Sequence, residues 1–132
     1  MTSVYLICPV RNCPPEERKL MDKYVSDLED QGYRVHYPPE SVDQFNDDGG
    51  VRICHEHREF MRHLSYRDEV HVWLLNGKLT EGGYFDFGMA FMLSWWVHGI
   101  KFVIANGPLQ QTEHKSFENL LRSIANDQDG TK

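Results

Sequence analysis

The chain has 132 residues, of which 40% are hydrophobic and 26% charged, with a formal net charge of -6; that is enough for one hydrophobic core and too little for two, so a single domain over 1–132 is expected. The acidic balance and the lack of a Lys/Arg block argue against duplex nucleic acid, whose phosphates need a basic face, and no stretch is apolar for long enough to span a bilayer. Three cysteines, Cys8, Cys13 and Cys54, without a C-x-x-C pair, support neither a disulfide framework nor a cysteine zinc site.

The opening Met-Thr-Ser-Val-Tyr-Leu-Ile lacks the basic region and long apolar core of a signal peptide, so a cytoplasmic location is expected. Val4 to Cys8 reads as a buried strand feeding the turn from Pro9 to Pro15. A helix follows from near Pro15, with Glu16 and Glu17 set against its dipole and Leu20, Met21, Tyr24, Val25 and Leu28 on one apolar face, until Gly32 stops it. Tyr33 to Tyr37 gives a second strand, ended by Pro38-Pro39. The polar segment Glu40 to Gly50, with Asp43, Asn46, Asp47, Asp48, Gly49 and Gly50, predicts a loop or lid. Then come a helix from Val51 to Ser65, a third strand from Glu69 to Leu75, a glycine-containing loop opening a helix that runs to about Val97, and a fourth strand from Ile100 to Ala105. A last amphipathic helix covers Thr112 to Ile124, with Phe117, Leu120, Leu121 and Ile124 on one side, and 126–132 should fray.

This alternation predicts an α/β fold, a flavodoxin-like or Rossmann-like three-layer sandwich with a parallel sheet of four to five strands in the order 2-1-3-4(-5). The switch point then falls between strands one and three. The loops leaving them, Pro9 to Pro14 and Asn76 to Gly83, should meet at the carboxyl edge of the sheet and hold a ligand.

In the second of these loops, unsatisfied N–H groups of Gly82, Gly83 and Tyr84 and the helix dipole would favour an anion or an ionised acid at Asp86, placed in the first turn. The plainer alternative makes Asp86 a capping group. Tyr5 could aim its hydroxyl at Asp86 from the first strand, or be an ordinary strand tyrosine. Arg11 and Asn12 could meet a phosphate or sugar, or be solvated turn residues. His55-Glu56-His57-Arg58-Glu59 has its histidines two apart, unlike the zinc-protease helix, and reads as a charged helix surface with no metal site. Arg58 and Glu59 are either pocket-edge groups or an exposed pair. Trp95 and Trp96 read as core plus an oligomer contact. The glycine fingerprint of dinucleotide sites, the P-loop lysine motif and a serine nucleophile elbow are missing.

Three segments carry a resemblance: Val-Tyr-Leu-Ile-Cys-Pro at the start, Arg67-Asp68-Glu69-Val70 entering the third strand, and above all Gly82-Gly83-Tyr84-Phe85-Asp86-Phe87-Gly88-Met89-Ala90. Over Val4 to about Asn106 the chain resembles the nucleoside 2-deoxyribosyltransferase family, and more closely its small bacterial and phage deoxyribosyltransferase-like proteins. The resemblance implies that Asp86 is a nucleophile and Tyr5 the residue that orients it. It also implies a double displacement on a 2'-deoxynucleoside or deoxynucleotide, by transfer to a second base or to water, and a homo-oligomer without cofactor. Candidate substrate contacts are Pro9, Arg11 and Asn12, then Asp48, Arg58 and Glu59, then Asn76, Glu81, Gly82 and Gly83.

Two positions depart from the family. Its nucleophile is usually glutamate, one methylene longer than Asp86. The acid that handles the base, on the helix before the third strand, falls nearest Phe60, which leaves Glu59, Asp47, Asp48 and Glu81 as substitutes. The alternatives to an N-glycosidic enzyme are a nucleotide-binding module on the same fold without turnover and an oligomeric partner-binding protein.

Overall fold

A computed structural model of the chain describes residues 1–41, 44 and 48–127. Asp43, Asn46 and Asp47 of the expected lid, and 128–132 of the expected frayed tail, lie outside the described residues. The elements are β1 Ser3–Ile7, α1 Pro15–Asp30, β2 Arg34–His36, α2 Pro38–Ser41, α3 Val51–Met61, β3 Glu69–Val72, α4 Glu81–Trp96, β4 Lys101–Ile104 and α5 Phe117–Asp127.

The sheet is four-stranded and parallel in the order β2-β1-β3-β4. One row of side chains, His36, Tyr5, Val70 and Phe102, runs across it in register. Tyr5, Val70 and Phe102 of that row pack with Ile7, Val72, Met61, Leu79, Phe87, Ala90 and Leu121, so α3, α4 and α5 cover this face. Leu6, Cys8 and Trp73 point the other way, against Met21 and Val25 of α1. The fold is thus a three-layer α/β sandwich with the core split by the sheet, because alternate residues of a strand face opposite sides.

Element ends shift for identifiable reasons. The third strand's regular pairing stops at Val72, yet Leu74 is still held: its N–H donates to Asn106 Oδ1 and its carbonyl accepts from Asn106 Nδ2, each at 2.7 Å, so an amide side chain stands where a neighbouring strand would. Leu75 and Lys78 then pair antiparallel around Asn76-Gly77, whose φ values of 52° and 78° give the tight turn that this dipeptide favours. The helix expected to reach Ser65 ends at Met61, since Asp68 Oδ2 draws away the Ser65 N–H at 2.8 Å and lies 3.2 Å from its Oγ. The last helix begins at Phe117 rather than Thr112, because the Asn119 side chain bonds Thr112 and His114 in a non-helical loop.

At the other end α5 continues to Asp127, with Asn126 Nδ2 donating to the Leu109 carbonyl at 3.0 Å, so Asn126 and Asp127 belong to the helix and not to a frayed end. Leu20 and Phe117, expected on apolar faces, are exposed. So are Trp95 and Trp96, 72% and 70% exposed, which removes them from the core. No helix of the described residues is long and apolar enough to cross a membrane.

Asp68 ties two distant parts of the sheet together. Besides Ser65, its Oδ1 accepts the Ser3 N–H at 2.9 Å, fixing the start of β1 beside the entry to β3. Asp68→Ala leaves the buried Ser3 N–H without an acceptor and releases Ser65, and is expected to lower unfolding free energy by about 3 kcal/mol, read as a fall in the urea midpoint. An unchanged midpoint would show that the tie contributes nothing.

Candidate functional site

The site is built where α4 starts. Thr80 caps the helix: its Oγ1 accepts the Gly83 N–H at 3.1 Å and its carbonyl accepts the Tyr84 N–H at 2.9 Å. Gly83 and Tyr84 therefore have acceptors, contrary to the sequence expectation, and Asp86 falls in the second turn rather than the first. Gly83 sits tightly under the cap, where a Cβ would lie 3.2 Å from both Leu79 Cδ2 and Thr80 Oγ1. Gly83, Asp86, Phe87 and Ala90 form the buried stripe of α4, so an acid occupies a position at core spacing.

That acid is 5% exposed and bonds across to the sheet and to α3 rather than to helix N–H groups. Tyr5, wholly buried on β1, donates its hydroxyl to Asp86 Oδ2 at 3.1 Å. From α3, His57 Nδ1 lies 3.1 Å from Oδ1 and 3.1 Å from Oδ2, straddling the carboxyl. Behind them His36 stacks on Phe60, with ring centroids 3.9 Å apart, and tilts against Tyr5 at 4.8 Å. Burial, the Asp86 charge and the hydrogen bond push the Tyr5 phenol far above its ordinary range, so it stays a donor. Burial, then repulsion from His57, pushes His36 down to about 4. Burial likewise raises the Cys8 and Cys13 thiols, which keeps both from being ready nucleophiles.

Asp86 opens onto a cleft of about 670 Å³ between the first loop and the start of α4. Arg11 and Asn12 line it from the loop after β1, Gly49 and Gly50 from the approach to α3, Ile53, Cys54 and His57 from α3, and Thr80 to Gly83 with Phe85 from α4. Asn12 takes a left-handed φ of 56°, a conformation asparagine tolerates, where the chain bends toward the cleft. A separate depression at Thr2, Gln31, Gly32 and Tyr33 lies at the opposite, N-terminal edge of the strands and brings no acid or base together.

Of the substrate contacts expected from sequence, Arg11, Asn12, Glu81, Gly82 and Gly83 line the cleft. The others stand elsewhere. Pro9 is buried in the chain behind it. Asp48 holds the start of α3, accepting the N–H groups of Gly50 at 3.2 Å and Arg52 at 2.9 Å. Arg58 bonds His55 on the exposed side of α3, and Glu59 pairs with Arg62 at 2.7 Å, which holds its carboxyl down at about 2. Asn76 is spent in its tight turn.

The residue that sequence reasoning left on a charged surface is His57. It belongs to the inward series Ile53, His57, Phe60, Met61, Leu64, spaced as one helical face, and that spacing was the available signal. Among the described residues no group of three or more His, Cys, Asp or Glu side chains is placed to hold a metal ion.

Because unfolded His36 titrates near 6.5 and the folded residue near 4, stability should be full above the first value and fall as pH drops toward the second. The unfolded chain binds a proton in that window that the buried ring refuses; below it both forms are charged and the loss is complete. Up to about 3 kcal/mol is at stake. His36→Phe, which keeps a ring on Phe60, should flatten the pH dependence of the urea midpoint in this window, and an unaltered slope would contradict the assignment. No family model matches the chain, and no curated protein is similar enough in sequence to register as a relative.

Proposed function

We propose that the protein breaks the N-glycosidic bond of 2'-deoxynucleosides or deoxynucleotides, passing the sugar through a covalent intermediate on Asp86 to water or to a second base. One observation carries this reading: a carboxyl in the wall of a cleft large enough for a nucleoside, oriented by a hydroxyl from the central strand. A buried tyrosine aimed at a cleft-side acid fixes which way a nucleophile points. The family resemblance assigns the same pair these roles.

In the first half-reaction a bond forms between an Asp86 oxygen and the anomeric carbon while the carbon–nitrogen bond breaks. The electron pair leaves with the base, which takes up a proton. Glu81 is the carboxyl that would relay this proton from solvent: it is the other acid lining the cleft among the described residues. In the second half-reaction water or a new base attacks the same carbon, gives up a proton that Glu81 returns to solvent, and frees the Asp86 carboxylate. Oδ2 faces both Tyr5 Oη and His57, whereas Oδ1 faces His57 alone, which makes Oδ1 the less loaded oxygen for attack. The reading carries a reducing, cytoplasmic setting and a homo-oligomer, for which the exposed outer face of α4, with Met92, Trp95 and Trp96, offers surface.

A second reading is favoured by one observation: both Asp86 oxygens already carry hydrogen bonds, as suits a ligand-binding module without turnover. Deoxyadenosine incubated with cytosine, and deoxynucleoside monophosphates incubated in water, separate the two by chromatography. The proposal expects free base or an exchanged nucleoside, a sugar adduct on Asp86 when a 2-fluoro-arabino nucleoside is used as trap, and at least about a thousandfold loss in Asp86→Asn with the domain still folded by circular dichroism. Near-parental rates in that variant remove Asp86 as nucleophile. A nucleotide-induced thermal shift that survives Asp86→Ala, with no cleavage by the parent, establishes the binding module instead.

A further inference from the structure

We propose that His57 is a positioning residue, which holds the Asp86 carboxyl against Tyr5 as its Nδ1-protonated tautomer. The pairing stands on geometry alone; its kinetic consequence rests on the glycosyl-transfer reading.

The tautomer follows from who can donate to whom. Tyr5 keeps its proton and donates a hydrogen bond to Oδ2, and the carboxylate that attacks in the proposed reaction has only acceptors to offer, so the ring nitrogen 3.1 Å from both its oxygens is the donor. The ring's other nitrogen, Nε2, is buried without a partner among the described residues. A bare lone pair there forfeits less than an N–H with nowhere to point. Nδ1–H with Nε2 unprotonated satisfies both ends of the ring.

The same geometry excludes a proton-transfer role. In an in-line displacement the base departs from the face of the furanose opposite the attacking oxygen, and the second nucleophile arrives from that far face. An imidazole bonded to the attacking carboxyl is on the near face, out of reach of both. What it can do is stop the carboxyl from rotating. Tyr5 alone defines one point, and a short aspartate held at one point can swing about its Cβ–Cγ bond. The straddling N–H from α3 adds a second, anchored on a different element, so the plane of the carboxyl is set by the β1, α3 and α4 framework rather than by substrate.

The test has one arm that needs no turnover. Long-range proton–nitrogen NMR of the histidine-labelled full chain near neutral pH should show His57 with Nδ1 protonated and Nε2 bare; the reverse tautomer overturns the pairing. In the kinetic arm, His57→Leu fills the space without a donor and is expected to lower kcat by about 30-fold or more with KM within about threefold. His57→Asn, whose amide nitrogen falls near the place of Nδ1, should recover kcat to within about fivefold of the parent. Parental kcat in the leucine variant, a change confined to KM, or an asparagine variant no better than leucine would each overturn the positioning role. Should the parent turn over no deoxynucleoside at all, the glycosyl-transfer reading fails, and the NMR arm still decides the His57–Asp86 pairing.

Discussion

A phenol on the central strand and a carboxyl on the helix above it each have to be satisfied inside the protein. Burying either without a partner would cost several kcal/mol, and the Tyr5–Asp86 hydrogen bond removes that cost for both at once. It can form only if β1 lies beside β3 and α4 returns across the same face, so the sheet order and the acid's orientation are one constraint. His57 and His36, brought in by α3 and β2, complete a polar cluster that belongs to four elements.

The fold was largely legible because its signals are periodic and repeated. The apolar run Val4 to Ile7 and the segment Val70 to Leu74, apolar but for His71, are short, rich in branched residues and bounded by turns, and the amphipathic spacing of Met21, Val25 and Leu28 places α1. Element ends were less legible, since single side chains set them: Asn106 prolongs pairing beyond β3, Asp68 draws Ser65 out of a helix, and Asn119 holds Thr112 in a loop. Long-range side-chain bonds of this kind leave no period in the sequence.

The candidate site divides in the same way. Asp86 and the glycine loop stand out as residue types at a strand-to-helix junction, Arg11 and Asn12 follow from topology, and Tyr5, by residue type an ordinary strand tyrosine, was singled out by the family resemblance. His57 was obscured by its neighbours, because His55, Glu56, Arg58 and Glu59 make the segment look like a solvated face. Only the slower rhythm of Ile53, Phe60, Met61 and Leu64 reveals that one histidine in this polar run points inward. Pro9, Asp48 and Asn76 illustrate the opposite error: Pro9 has no side-chain polar group to offer, Asp48 is committed to backbone N–H groups at the start of α3, and Asn76 serves the backbone of a tight turn outside the cleft lining.

One tie reaches the cleft from the far end of the chain. Glu118, buried on α5, accepts the Leu79 N–H at 2.9 Å and the Tyr84 hydroxyl, gripping the segment on both sides of the Thr80 cap. During synthesis the strand, the cap and the acid emerge well before this carboxylate does. The wall that presents Asp86 is therefore clamped last, and a nascent chain halted before Phe117 would carry every residue of the reactive cluster without the brace that holds its helix in place.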